Sequence, residues 1–354
     1  MWSSDDFTTI LGWLQVYERV MRESKITDGK ILVTGGAGFI GSALVWALNK
    51  LGIEKVLISD QLSKDEKWLN LAPLKFDDYL ASEALLKEVE NDRNTLKGIS
   101  WVFHLGACSS TTERDVGYLM ENNYRYTAIL CDWALRANAR FIYASSAATY
   151  GDGSMGMQDD ESSLESLRPL NAYGYSKQLF DLYARRRGLL DKIVGLKYFN
   201  VYGPNEWHKG DMRSLVNKAF DQVKESGKIR LFKSYKPDFK DGEQMRDFLY
   251  VKDAVEMTLH LATTPDANGI FNIGSGQART WIDLANAVFA ALGQPPQIEF
   301  IEMPETIRDK YQYYTQASIE KLKSTGYEGP RFTLETAVKD YVQSYLVPRK
   351  HLEP

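Results

Sequence analysis

The glycine-rich segment Thr34-Gly-Gly-Ala-Gly-Phe-Ile-Gly41 constrains the fold of this chain more than any other stretch of its sequence. It follows an apolar run at 30–34 that predicts a buried strand, and it leads into helical periodicity over 39–49. One glycine permits the tight strand-to-helix reversal, another lets the main chain approach a pyrophosphate, and Gly41 lets the helix and strand pack closely. A strand, a glycine turn and a helix in this order are typical of a dinucleotide-binding βαβ unit.

A second predicted strand, at 55–60, ends in an acid, Asp60, which lies 19 residues after Gly41. A carboxylate at this position can reach the adenosine ribose of a dinucleotide. It favours NAD, because it would repel a 2′-phosphate, whereas Lys64 and Lys67 could offset that repulsion and hold the phosphate. Charge alone therefore leaves NAD and NADP open.

The rest of the first half alternates between apolar runs and helical stretches. The runs lie at 101–105, 140–145 and 193–198, and the helical stretches at 81–89, 122–136 and 176–187. This alternation predicts an α/β fold with a doubly wound parallel (Rossmann) sheet. After Asn200, prolines and glycines break the chain into short elements, which favours a smaller α/β substrate-binding domain. We expect a dinucleotide-binding domain over 29–199, with later returns near 244–273, and a mainly substrate-binding domain over 200–347.

Residues 1–28 are predicted to be an N-terminal extension. Acidic residues interrupt its apolar set, and no basic start or small-residue cleavage site marks a secretory signal. We expect a short amphipathic helix packed on the body or on a partner subunit. No stretch of eighteen apolar residues is present in the sequence, so we expect no membrane partner.

Composition excludes several function classes. A formal charge of −4 without a basic patch argues against a nucleic-acid partner. The two cysteines, Cys108 and Cys131, make no disulfide framework, and the four histidines lack metal-ligand spacing, so we expect no metal. A reducing cytoplasm is the expected location.

A pair four residues apart, Tyr173 and Lys177, is the candidate catalytic centre. On a helix the two side chains share one face, and a nearby ammonium favours the phenolate, so we expect a depressed tyrosine pKa and proton transfer near neutral pH. Ser145 and Ser146 follow a predicted strand at the carboxyl edge of the sheet, where a hydroxyl can bond the reacting oxygen. The sequence leaves open which serine does so.

The segment 104–110 follows another strand, and its small residues suit close approach of a cofactor. His104, flanked by Phe103 and Leu105, is interpreted as a buried structural histidine.

With these residues in place, the chain resembles the extended short-chain dehydrogenases/reductases, and within them the ADP-glyceromanno-heptose 6-epimerase family. The strings that carry the resemblance run from about Lys30 to near Val347. They are 106–113 (GACSSTTE), 144–151 (ASSAATYG), 198–204 (YFNVYGP), 208–210 (HKG) and 311–317 (YQYYTQA).

The resemblance implies an isomerase of lipopolysaccharide core biosynthesis. It would convert ADP-D-glycero-D-manno-heptose to ADP-L-glycero-D-manno-heptose by transient oxidation at C6″ and re-reduction with tightly bound NADP, NAD being possible. It also implies a homo-oligomer, with a pentamer as one form. Reduction from the opposite face needs a second acid/base group, and the resemblance supplies Lys209. A lysine desolvated on a covering loop suits that role, although a phosphate clamp or an exposed charge is the alternative.

Motifs and resemblance together give the remaining predicted site residues. The cofactor set is Gly35, Gly38, Phe39, Ile40, Gly41, Asp60, Gln61, Lys67, Gly106, Ala107, Cys108, Ser109, Asn122, Lys177 and Val201. The ADP-sugar set is Asn200, Asp211, Lys218, Phe232, Arg246 and Tyr311. Of these, Arg246 has the best chemical support, because a guanidinium suits a diphosphate.

Two alternatives remain. One is a 4-epimerase or dehydratase of another nucleotide sugar, but Ala147-Ala148-Thr149 stands where a dehydratase would need a carboxylate pair. The other is a non-catalytic dinucleotide-binding redox sensor, which predicts loss of Tyr173 or Lys177. The chain departs from the family in its leader, in Asp211, where a small polar residue is usual, and in a longer segment at 233–244.

Overall fold

The computed structural model describes residues 26, 29–91, 94–308 and 311–354. The predicted N-terminal helix within 1–28 lies outside the described residues, apart from Ile26, which is buried in the apolar core.

Seven parallel strands form the central sheet. They are β1 (Lys30–Thr34), β2 (Val56–Asp60), β3 (Asp78–Ala81), β4 (Ile99–His104), β5 (Arg140–Ser146), β6 (Ile193–Tyr198) and β10 (Gly269–Ile273). Their spatial order is β10-β6-β5-β4-β1-β2-β3. The order reverses between β1 and β4, and in doubly wound sheets a crevice for ligands opens at that point. The predicted fold class is confirmed.

Helices cover both faces of this sheet, and others pack beside the two smaller sheets described below. They are α1 (Phe39–Lys50), α2 (Trp68–Leu71), α3 (Ser82–Glu90), α4 (Val116–Leu119), α5 (Tyr126–Arg136), α6 (Ala172–Arg186), α7 (Leu215–Ser226), α8 (Val251–Thr263), α9 (Trp281–Ala291), α10 (Glu305–Arg308), α11 (Glu320–Ser324) and α12 (Leu334–Asp340). One apolar cluster joins α1 and α8 to one face, and a second joins α5 and α6 to the other. Burial on both faces explains why the central strands are continuous apolar runs.

Two small sheets complete the fold. β7 (Asn200–Tyr202), β9 (Met245–Tyr250) and β11 (Ala278–Thr280) form one, and β8 (Ile229–Phe232) pairs with β12 (Ile298–Ile301) in the other. Only Phe199 separates β6 from β7, so the carboxyl end of the central sheet leads directly into the small sheet. Among the helices of the described ranges, none is long and apolar enough to cross a bilayer.

Candidate active site

The glycine turn and the loop after β4 approach each other at the point where the strand order reverses. Gly35 has a φ of +68°, a conformation that glycine adopts readily, and a β-carbon there would lie 2.6 Å from the Gly106 nitrogen. A β-carbon on Gly41 would collide with the Gly35 carbonyl oxygen. The backbone thus keeps an open cradle at the start of α1, where free N–H groups favour a pyrophosphate.

Asp60, at the end of β2, is held from two sides. Its carboxylate accepts from the Ala37 and Gly38 amides at 2.9 and 3.1 Å, and from Lys67 Nζ at 3.0 Å. The amide of Gln61 donates to the same carboxylate at 2.7 Å. The negative charge that sequence reasoning weighed against a 2′-phosphate is therefore paired with a lysine.

An asparagine that the sequence analysis passed over, Asn123, shapes the loop after β4. Its side chain accepts from the Cys108 amide at 2.8 Å and donates to the Cys108 carbonyl at 3.0 Å and to Ser176 Oγ at 2.9 Å. The predicted cofactor ligand Asn122 is half-buried, and its amide donates to the Tyr118 carbonyl at 2.9 Å. In the sequence, the only feature that pointed to Asn123 was its place next to the predicted ligand Asn122.

His104 lies between two threonines. Its ring nitrogens are 2.7 Å from Thr34 Oγ1 and 2.8 Å from Thr127 Oγ1. Burial lowers the pKa of His104 to about 3, and the nearby charge of Lys177 acts in the same direction. The ring is therefore neutral and joins β1, β4 and α5, as a structural histidine would.

The predicted catalytic pair, Tyr173 and Lys177, lies on α6, whose first turn is capped by Asn171. Lys177 is buried, and its Nζ donates to the Ala144 carbonyl on β5 at 2.9 Å. Burial lowers the pKa of Lys177 to about 8, an effect that Asp181 opposes. Burial also raises the pKa of Tyr173, while a hydrogen bond with Ser146 opposes that rise. The expected depressed phenol pKa is not found, because desolvation raises the pKa more than the hydrogen bond with Ser146 lowers it.

The two serines at the end of β5 have different partners. Ser145 Oγ donates to the buried Asp181 carboxylate at 2.8 Å. Ser146 Oγ accepts from the Ala148 amide at 3.1 Å and bonds the phenol of Tyr173. Ser146 is thus the serine that lies beside Tyr173, a choice that the sequence left open.

Lys209 lies on a short 3₁₀ segment, Trp207–Met212, that follows β7. Its ammonium lies 4.9 Å from the centre of the Phe39 ring, at the start of α1. Burial lowers the pKa of Lys209, Glu206 opposes the change, and Lys218 adds to it. Asp211, further along the segment, is exposed.

One cavity of about 450 Å³ brings much of the predicted site together. Its lining includes Phe39, Ile40, Ala107, Ser109, Ser145, Ser146, Tyr173, Lys177, Asn200, Val201 and Lys209. A larger cavity of about 960 Å³ has a different lining, with Asp253, Arg279 and Arg331 among it. The smaller cavity is the candidate active site, because Tyr173, Lys177 and Lys209 all line it.

An aromatic group surrounds Arg246 beside this cavity. The guanidinium lies 4.9 Å from the Tyr311 ring centre and 5.7 Å from that of Trp281, and Trp281 Nε1 donates to the Tyr311 hydroxyl at 2.8 Å. Phe232 contacts Tyr311 edge-on at 6.5 Å. A buried guanidinium held by π faces can still bind an anion. Trp281 had no motif in the sequence to mark it.

Among the residues that the structure describes, no three His, Cys, Asp or Glu side chains are grouped so as to hold a metal ion.

The fold and the candidate site together define a class of enzyme. Residues 31–274 match the NAD dependent epimerase/dehydratase family, and the chain belongs to that family. A nicotinamide dinucleotide is accordingly its cofactor, and the glycine cradle fits such a group.

Named relatives narrow the class. An ADP-L-glycero-D-manno-heptose-6-epimerase from Nitratidesulfovibrio vulgaris (strain DP4) is 54% identical over 316 residues, covering 89% of this chain and 97% of the relative. One from Fusobacterium nucleatum subsp. nucleatum is 48% identical over 325 residues, covering 89% and 98%. These likenesses confirm the predicted resemblance and make the chain an isomerase.

Solved structures agree with this placement. The ADP-L-glycero-D-manno-heptose-6-epimerase of Helicobacter pylori superposes with a TM-score of 0.74 at 29% identity, over 90% of this chain and 96% of that one. A UDP-glucose 4-epimerase of Thermotoga maritima, solved with UDP-glucose, has a TM-score of 0.74 at 27% identity, over 91% and 100%.

Proposed function

We propose that this enzyme inverts C6″ of ADP-D-glycero-D-manno-heptose, giving ADP-L-glycero-D-manno-heptose. The observation that carries the proposal is the shared cavity: Tyr173 from α6 and Lys209 from the segment after β7 line it beside the glycine cradle. The names of the relatives support the choice of sugar. Two acid/base groups on separate elements suit a reaction in which hydride leaves one face of a carbon and returns to the opposite face.

The dinucleotide, when bound, would accept a hydride from C6″ and return it to the opposite face of the ketone. Oxidation requires removal of the hydroxyl proton, and reduction requires that a proton be supplied. We assign these transfers to Tyr173 and Lys209, one on each side of the carbon. Ser146 bonds the phenol, and Lys177, fixed to Ala144 at 2.9 Å, supplies positive charge beside it.

We further propose NADP as the cofactor. Lys67 pairs with Asp60 at 3.0 Å, so the carboxylate that would repel a 2′-phosphate is offset, and the lysine itself can bond the phosphate. Arg246, with Tyr311 and Phe232 around it, is proposed to hold the diphosphate of the sugar nucleotide. A cytoplasmic homo-oligomer completes the proposal, and sedimentation would measure its size.

The decisive experiment follows C6″ by NMR in purified enzyme given ADP-D-glycero-D-manno-heptose. Tyr173→Phe and Lys209→Met should each lower kcat by at least about 10³-fold, because each removes one proton-transfer group. Both variants should retain bound NADP, measured by absorbance after gel filtration.

Matched controls are Tyr175→Phe, on the same helix and 46% exposed, and Lys192→Met, also exposed; both should turn over normally. Near-normal turnover by Lys209→Met would end the two-group assignment. Activity at C4 of a UDP-sugar without activity at C6″ would favour the 4-epimerase alternative.

A further inference from the structure

A carboxylate, that of Asp181, lies on α6 beyond Tyr173 and one turn after Lys177. Tyr173, Lys177 and Asp181 are spaced four residues apart, so they lie along one face of the helix over two turns. Asp181 has no exposed surface. Neither the motif of the reaction nor the cofactor gives this acid a role, yet ionised side chains are rarely buried without a reason.

Asp181 ties the catalytic helix to the strand that carries the serines. It accepts from the Tyr143 hydroxyl at 2.9 Å and from Ser145 Oγ at 2.8 Å, both on β5. These two residues flank Ala144, whose carbonyl accepts from Lys177 Nζ. The carboxylate thus fixes the part of β5 on which the catalytic lysine rests.

A buried lysine on the neighbouring strand β6 also contacts Asp181. Lys197 Nζ lies 3.5 Å from the Asp181 carboxylate and donates to Thr149 Oγ1 at 2.6 Å, in the turn that follows Ser146. Its ammonium also lies 4.4 Å from the centre of the Tyr150 ring. The Asp181–Lys197 pair therefore joins α6, β5, β6 and the turn after Ser146.

The charge of Asp181 also acts on Lys177. The titratable groups around this lysine are Tyr173 and Asp181 on its own helix and His104 and Cys108 on β4 and the loop after it, with Tyr143 and Lys197 behind Asp181. Burial lowers the pKa of Lys177 to about 8, while Asp181 and Cys108 oppose the change. His104 is kept neutral by burial and so adds no positive charge that would favour loss of the lysine proton. Of the two groups that oppose the change, Asp181 has the larger effect.

We propose that Asp181 is a positioning residue of the reaction: it holds the carboxyl end of β5 against α6, and with it the Ala144 carbonyl to which Lys177 donates. This inference rests on the proposed function. Asp181 would act on the reaction through its neighbours and would touch neither sugar nor cofactor.

The test compares kcat against pH for the wild type and for Asp181→Asn, which keeps shape but removes the charge. We expect kcat to fall by about tenfold, with KM within about twofold. The descending alkaline limb should move to lower pH, because Lys177 without its opposing charge loses its proton earlier. A purely structural acid would lower the melting temperature without moving that limb.

A second variant separates catalysis from folding. Asp181→Asn alone leaves Lys197 buried and unpaired, which is destabilising. The double variant Asp181→Asn/Lys197→Met removes both charges with little change in volume, so its melting temperature should recover while the shifted limb remains. A double variant with the wild-type pH profile and kcat would overturn the inference.

If both Asp181 variants fail to fold, Tyr143→Phe decides the matter, since it removes one hydrogen bond and leaves the carboxylate. It should lower kcat by about threefold without moving the alkaline limb; an unchanged kcat would contradict the positioning role. Wild-type protein lacking C6″ activity would count against the proposed function instead, which keeps the two failures distinct.

Discussion

At the scale of single residues, the contact between Lys67 and Asp60 is the feature on which we expect the choice between NADP and NAD to depend. The lysine lies 3.0 Å from the carboxylate and also donates to the Gln61 carbonyl at 2.8 Å. Lys67→Met should weaken NADP binding by roughly 10- to 100-fold, the value of a charge-assisted hydrogen bond to a phosphate. NAD binding should change by less than about threefold, because the Ala37 and Gly38 amides still hold Asp60.

The measurement is the dissociation constant of each dinucleotide, by calorimetry on protein stripped of cofactor. Lys64→Met is the matched control, since Lys64 is exposed three residues away, and it should affect NADP much less. Equal losses for NADP and NAD in Lys67→Met would mean that the lysine only supports Asp60, and the proposed preference for NADP would be dropped.

At the scale of elements, the close packing of α1 on the end of β1 depends on Gly41. A β-carbon there would meet the Gly35 carbonyl oxygen and main-chain atoms of Gly36, none of which can move without shifting the turn. Gly41→Ala should therefore displace the helix from the turn and abolish cofactor retention. We expect a fall in melting temperature of several degrees, because overpacking costs about 1–3 kcal/mol.

The control for this change is Gly117→Ala in α4, where a β-carbon would lie 3.4 Å from a side-chain oxygen of Asp115, an ordinary contact. Its cofactor content and melting temperature should match the wild type. Full cofactor retention by Gly41→Ala, measured by absorbance at matched protein concentration, would show that the cradle tolerates a β-carbon.

The elements also show what the sequence can predict. β1 and β6 begin and end at the residues expected, because strands buried on both faces are mostly apolar runs bounded by turns. β3 (Asp78–Ala81), with exposed ends, and the short strands of the small sheets carry no such pattern. Helix α6 begins at Ala172, earlier than expected, because the Asn171 side chain caps it.

Part of the candidate site could likewise be predicted from the sequence, and part could not. Tyr173 and Lys177 were predicted because their spacing is local and their chemistry is read from residue type. Asn123 and Asp181 were missed because their partners, Cys108 and Ser145, lie 15 and 36 residues away in the sequence. Only the packing of the sheet brings such pairs together, and a single sequence does not record it.

At the scale of the whole molecule, a buried acid couples stability to pH. Asp253 on α8 is 1% exposed and accepts from the Arg331 and Phe332 amides at 3.0 and 3.3 Å, which fastens the C-terminal segment to the body. Burial raises the pKa of Asp253 from 3.8 to about 7. In the unfolded chain the group is ionised above about pH 4, so the folded state binds the extra proton between pH 4 and 7.

The contribution of this proton to the free energy of unfolding is therefore complete below pH 4 and is lost as pH rises to 7. The upper limit of the loss is roughly 4 kcal/mol at one pKa unit per 1.4 kcal/mol. Asp253→Asn removes the ionisation and keeps one acceptor oxygen, enough for the Arg331 amide but not for the Phe332 amide as well. Its melting temperature relative to the wild type should therefore start lower, rise from pH 5 to 7 and level off above pH 7. Calorimetry across that range measures the difference, with Asp238→Asn, an exposed site, as the control whose offset should stay constant. A constant offset for Asp253→Asn as well would mean that the carboxyl is ionised in the folded protein and that the C-terminal segment is held by an anion throughout.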